Sequence, residues 1–579
     1  MIGIAPAIET DSTDQRGLVA IAAIGALVSI LTTGFTIGVR NDLYYLPIVH
    51  ALYDEPQFAA DAFIQSLRYF SAGPWILLQG AGHHIDPYWM LFGLNFLSRF
   101  LSFFGFLACA DFLGLKRRSE HVFFTVLLCA TPLLRGQSLA GDGGLFINYF
   151  THSEIDNGLT LIILFLLNLG QLTSALILNG VVFFINAFIG VWDGVMTVAV
   201  TGVLLLRGDM GLRSAAWRST LGILVATIIA VPILMNILDN PDFGRSFGFD
   251  YVAFLEEFWP FHFIFRDIAA YEKLGLVLLI ALGGGAFFAF GKPARLFLVA
   301  MAAFSLIYIV GIFVPYLTHS ALVLNLHLLR VSSMLQQLAV LGSLALATTW
   351  WWSDKPLYAR IFAPILVLAL CTPIRMTSIQ PAINSAIACA VIGISCYRGQ
   401  NFRSWIPEWI MNSRFNLRHA ALACVVVGFA VVVTKSVIAN SRSRTWLSEW
   451  STLANWAEAN TRPKDLFILP TWNFLGHPNK NAGTEEDDAI LNSGIFETVS
   501  HRSVWIDFRN GAAVMWSPSY YEEWHQRIAD VNSLTSFAAK VGYARTNGIA
   551  YIVDVCARYP AIKPVFSTAR LCVYSTAAN

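Results

Sequence analysis

Charge is what this sequence has least of. Only 13% of its 579 residues are Asp, Glu, Lys or Arg, about half of the ~25% usual in soluble domains. By contrast, 56% are hydrophobic and the mean hydropathy is +0.59. Such a chain lacks the polar surface of a water-soluble globule, which makes it a polytopic α-helical membrane protein. The formal net charge is +1, and the basic residues come in short clusters between apolar runs, so no patch is offered to nucleic acid. There is no Walker-type phosphate loop, no HExxH, no GxSxG and no glycine fingerprint after a strand. The hydrolases and dinucleotide enzymes built on those motifs are excluded. Cys-x-x-Cys is absent too. Six of the eight cysteines fall in or beside apolar runs and read as small core hydrophobes. The other two, Cys556 and Cys572, lie on two expected strands of a polar C-terminal region, where a bridge between them would need an oxidising compartment.

What is present is apolar and periodic. Runs of roughly spanning length occur at 17–38, 90–115, 122–135, 156–172, 175–190, 194–206, 218–238, 274–291, 296–317, 331–352, 360–372, 379–396 and 419–436, which predicts about 13 transmembrane helices. The three between His152 and Arg207 are interrupted by Asn and Asp and are candidates for re-entrant or half-length helices. The first run follows acidic residues and precedes no small-residue cleavage site, so it is expected to be a retained helix. Five basic clusters fall on one side under this count: Lys116–Arg118, Arg207 with Arg213 and Arg218, Lys292 with Arg295, Lys355 with Arg360, and Arg398 with Arg403, Arg414 and Arg418. Lys and Arg prefer the cytoplasm. That parity puts the N-terminus inside, and the stretch 39–89, the loops near 136–155, 239–273 and 318–330, and everything after Lys435 outside.

Residues 1–435 thus form the membrane domain and 436–579 an α/β domain. The latter is expected to begin with an amphipathic helix, TWLSEWSTLANWAEAN, followed by strands at Leu466–Pro470 and Ser503–Phe508 with a polar loop between them. A helix N-capped by Ser517, a helix over Leu534–Thr546, the strand IAYIVDV and a terminal hairpin complete it.

The outer loops carry the candidate chemistry. Asp42, four residues past the first run and among aromatics, is either a general base with a raised pKa or the cap of the next helix. The patterns LYYLPIVHALYD and FAADAFIQSLRYF read as short interfacial helices, with Asp61 on the second. His152, Glu154 and Asp156 sit at the mouth of a spanning run, where ionisable groups are costly unless they bind something, a metal or a substrate hydroxyl. Glu257 and His262 lie among aromatics in a later loop. His327 and Arg330 stand at the mouth of the tenth run, where an arginine fork suits a lipid-linked phosphate or, equally, headgroup contact by snorkelling. His83 and His84 are adjacent, project differently and have no further ligand nearby in sequence. The acids gather at one face, not at mid-bilayer, which disfavours a transporter.

This layout resembles the GT-C superfamily of membrane glycosyltransferases, which take a sugar from a polyprenyl-phosphate donor at the outer face. The phrases YYLPIVHALYD, LHLLRV and HRSVWIDF…YYEEWHQR are similar to multi-spanning bacterial proteins of that kind. The resemblance covers most of the chain through motifs of low specificity. A lone Asp42 stands where the protein O-mannosyltransferases carry Asp-Glu, and the oligosaccharyltransferase WWD-type motif is missing. The resemblance implies a GT-C-like inverting glycosyltransferase of the bacterial inner membrane, with a periplasmic C-terminal domain. Asp42 is then the catalytic base, and Glu154 and Asp156 are acceptor- or metal-binding acids with a divalent cation as the possible cofactor. Arg330 becomes the donor-phosphate contact, and the partners are a polyprenyl-phosphate sugar and a lipid or glycan acceptor. A carrier or flippase for a lipid-linked sugar, and a non-catalytic assembly protein, are the competing expectations.

Overall fold

A computed structural model describes residues 12–372, 380–398, 417–472 and 484–577. Eight of the described helices are long and apolar enough to cross a membrane: Arg16–Thr33, Pro87–Phe112, Ala187–Leu206, Leu212–Leu238, Ala270–Phe290, Lys292–Leu317, Ala321–Trp351 and Leu417–Asn460. The other five apolar runs fall on shorter helices, Arg118–Ala130, His152–Asn168, Leu172–Ile185, Ala363–Cys371 and Gln380–Arg398. The protein is therefore a helical membrane protein, with eight helices among the described residues that have the length and composition to span and the other five expected runs on shorter helices. A short apolar helix can bury its backbone polar groups against neighbours without spanning. Of the last basic cluster, Arg403 and Arg414 lie outside the described residues, while Arg418 donates to the carbonyls of Ala359 (2.7 Å) and Trp351 (2.6 Å).

The helix Leu417–Asn460 crosses the expected domain boundary at 435/436 without a break. No Pro or Gly stands between Lys435 and Asn460 to stop it, so the last apolar run and the amphipathic segment after it become one rod. At 44 residues the rod is about 66 Å long, well over the ~30 Å of a bilayer core. Its far end carries the C-terminal region, where Trp446 and Trp450 are fully buried and Trp450 Nε1 donates to the Ala489 carbonyl at 2.9 Å.

That region is built on a four-stranded sheet. A two-stranded ribbon, β1 (Gly136–Gln137) and β2 (Gly144–Leu145), comes earlier in the chain; the sheet strands are β3 (Leu466–Ile468), β4 (Ile549–Val555), β5 (Phe566–Ser567) and β6 (Leu571–Ser575). The sheet order is β3-β4-β6-β5, with β3 parallel to β4 and the other pairs antiparallel. Ser503–Phe508 was expected as a strand and contributes only one bridge, Phe467 to Val504. Beyond it, Asp507 caps a 3-10 turn, Phe508–Met515, that pulls the chain off the sheet. Ser517 was expected to cap the next helix; its hydroxyl instead donates to Asp242 at 3.1 Å, and the α-helix begins at Tyr521. The following helix is Phe537–Thr546, capped by Ser536. Cys556 follows β4, Cys572 lies on β6, and the two are joined in a disulfide. Residues 473–483 of the expected polar loop lie outside the described residues.

The segment 39–89 forms several single-turn helices, with Asp42–Val49 the longest at eight residues. An amphipathic surface helix was expected there. All eight of its residues are buried, because the C-terminal region packs over it.

Candidate functional site

One cavity of about 1240 Å³ lies where the segment 39–89, the β1–β2 ribbon, the loops 239–262 and 318–330, and the C-terminal region meet. The 3-10 turn Phe508–Met515 and the residue after it fasten three of these walls with main-chain carbonyls. Arg509 accepts from the Tyr44 hydroxyl (2.6 Å), Met515 from Asn325 Nδ2 (2.7 Å) and Trp516 from Asn240 Nδ2 (2.6 Å). Asp242 adds a carboxylate contact, accepting from the Ser519 N–H (2.9 Å) and both serine hydroxyls. No family model matches the chain, and no curated protein matches it.

Of the residues singled out by the sequence, His152, His262, His327 and Arg330 line the cavity. Arg330 has no carboxylate within 4 Å among the described residues, and its guanidinium lies 6.0 Å from the Phe188 ring centre. Among the described residues it makes no direct ion pair, and Asp142 is the acid that acts on it through space. His327 is packed between Phe188 (4.9 Å) and Phe263 (4.6 Å), at the edge of the same surface. His152 accepts at Nδ1 from the Trp75 indole N–H (3.1 Å), which leaves its ring proton on Nε2.

The expected acids lie elsewhere. Asp42 is 1% exposed and is not part of the cavity wall, although its neighbours Asn41, Tyr44 and Tyr45 are. Its Oδ2 accepts from the N–H groups of Gly38 (2.8 Å) and Val39 (3.2 Å), closing the turn that leads into its helix, while Oδ1 is buried without a partner. Burial pushes its pKa up to about 7 against the opposing pull of those two N–H groups. Asp42 thus has the pKa expected of a base and the position of a structural residue. Glu154 is held by the Ile147 N–H (2.7 Å) and by buried Arg99 (3.7 Å). Asp156 is fully buried with neither oxygen bonded, interacting with Asp193, whose own Oδ2 accepts from Thr160 at 2.8 Å. Asp61 caps the short helix Ala62–Ser66 through the Ile64 N–H (3.0 Å). Glu257 lies outside the cavity wall. Glu154 and Asp156 therefore do not join His152 at a common point, and among the described residues no group of three His, Cys, Asp or Glu side chains converges for a metal ion. Asp156 and Asp193 are both buried among the helices, each within two turns of cavity-lining residues, His152 and Asn186.

The sequence reading missed Asp142. It projects from the ribbon loop into the cavity, 36% exposed, with His262 Nε2 3.5 Å from its Oδ2. Burial lowers the pKa of His262, while the Asp142 carboxylate opposes that shift. Arg40 lines the same cavity, and Arg40, Asp142 and His327 all hold left-handed backbones, with φ of 48°, 56° and 49°. Such conformations cost roughly 1–3 kcal/mol each for non-glycine residues and gather at functional sites. The signal available in sequence was the run Gly141-Asp142-Gly143-Gly144, an acid set among glycines on a loop.

Proposed function

We propose that the protein transfers a sugar from a polyprenyl-phosphate donor to a lipid or glycan acceptor in this cavity, on the outer face of a bacterial inner membrane. The observation that carries the reading is Arg330, an arginine with no direct ion pair among the described residues, set in a cavity that also holds the accessible carboxylate of Asp142. A guanidinium in that state suits a phosphate group, which it binds through two parallel hydrogen bonds. The apolar side of the cavity fits a prenyl chain, for Ile237, Phe243 and Leu322 line it, with Phe243 46% and Leu322 68% exposed. Ile237 lies on the helix Leu212–Leu238, most of whose apolar window is left uncovered by the rest of the protein. Direct attack by an acceptor hydroxyl on the sugar carbon, with phosphate leaving from the opposite face, inverts the anomeric centre.

Replacing Arg330 with Gln removes a charge-assisted contact of about 1.5–3 kcal/mol, so polyprenyl phosphate should bind about 10- to 100-fold more weakly. Unchanged affinity in a lipid-nanodisc binding assay counts against the reading. A second reading, a carrier for a lipid-linked sugar, is favoured by the Asp156–Asp193 pair, because buried ionisable groups among membrane helices mark substrate and ion pathways. It predicts movement of the lipid without loss of its sugar.

A further inference from the structure

The ribbon loop that carries Asp142 is fixed to the segment that carries Arg330. Ser138 and Ser332 share a hydroxyl contact of 2.8 Å, the Leu139 N–H donates to Gln336 at 3.1 Å, and the Tyr308 hydroxyl donates to the Ala140 carbonyl at 2.6 Å. The two glycines flanking Asp142 leave no gap between the pieces. A Cβ on Gly141 would lie 2.1 Å from the Leu329 carbonyl oxygen, and one on Gly143 would lie 2.9 Å from the Ser333 side chain. Asp142 and Arg330 thereby line the same cavity on segments fastened to each other, and the two make no direct ion pair. The only Lys, Arg or His side chain within 4 Å of the carboxylate among the described residues is His262. The remaining ionisable groups around it are His327, Tyr149, Arg40 and Glu272, the last interacting with the loop itself through the Ala140 backbone.

We propose that Asp142, and not Asp42, is the catalytic base of the cavity, with His262 as the positioning residue that fixes its carboxylate. The proposal rests on the sugar-transfer reading above. In the step, an acceptor hydroxyl gives its proton to an Asp142 oxygen as its own oxygen bonds to the anomeric carbon. The bond from that carbon to the phosphate oxygen breaks, the electron pair stays on phosphate beside Arg330, and the proton on Asp142 passes to water in the cavity. Asp42 is unsuited to this task because one oxygen is taken by two main-chain N–H groups and the other is buried away from the cavity.

The experiment uses full-length protein in nanodiscs with undecaprenyl phosphate glucose labelled in the sugar, measuring donor bound and sugar released, water standing in for the acceptor. Asp142→Asn should bind donor as wild type does and release sugar about 10²- to 10⁴-fold more slowly, the range for loss of a general base. Asp142→Glu should recover part of that rate, His262→Gln should lower kcat without changing KM, and Asp42→Asn should stay within a few-fold of wild type. Asp142→Asn at wild-type rate, or inactivity confined to a folded Asp42→Asn, overturns the proposal while leaving sugar transfer standing. A wild type that binds donor and never releases sugar overturns both. If Asp142→Asn does not fold, Asp142→Glu carries the test: an unchanged kcat in that variant counts against the proposal.

Discussion

At the scale of single residues, Asp42 shows why a carboxylate's pKa and its place have to be read together. Its acid is raised from 3.8 to about 7 by burial, so in the folded state it stays protonated over a range where the unfolded chain has lost its proton. The native state then binds more protons than the unfolded one between those values, and stability falls as pH rises. The stabilising contribution is complete below about 3.8 and is gone once the pH passes about 7. Asp42→Asn cannot ionise, and its amide oxygen can still accept from Gly38 and Val39. Melting curves from pH 5 to 8 should show the wild type losing stability with rising pH while the variant loses less. Equal slopes would mean that Asp42 is already charged in the native protein.

At the scale of elements, the cavity depends on how the short β1–β2 ribbon seats against the start of the helix Ser332–Trp351. The seat is tight because Gly141 meets the Leu329 carbonyl with no room for a side chain. Backbone cannot retreat as a flexible side chain would, so Gly141→Ala must move the loop or the helix start. Overpacking of this sort costs about 1–3 kcal/mol. The expected result is a lowered melting temperature together with weaker polyprenyl phosphate binding, since Asp142 and Arg330 would lose their relative placement. A variant with native stability and native binding would show that the ribbon does not set the site. The 3-10 turn Phe508–Met515 is the second such element, its carbonyls and that of Trp516 receiving Tyr44, Asn325 and Asn240.

At the scale of the whole molecule, the sequence was most legible where one physical rule acts alone. Apolar runs mark helices because a bilayer or a bundle core leaves no other home for them, and all thirteen runs fall on helices. Strands β3 and β4 and the terminal hairpin were likewise readable from apolar patterning. What could not be read was set by contacts between distant segments. Ser517 follows the rule for a helix cap and instead serves Asp242, 275 positions away. The helix at Asp42 looks amphipathic and is buried because the C-terminal region covers it. Arg330, His152, His262 and His327 were legible as polar residues at loop mouths, whereas Asp142 was hidden by the commonness of glycine-rich loops. The central claim is that this cavity receives a phosphate-bearing polyprenyl lipid, and photocrosslinking tests it most directly. A diazirine-bearing polyprenyl phosphate, irradiated with the full-length protein in nanodiscs and mapped by peptide mass spectrometry, should label peptides containing Phe243, Leu322 and Trp516, and Arg330→Gln should diminish the labelling. Adducts confined to the lipid-facing surfaces of the spanning helices, unchanged by that substitution, would contradict it.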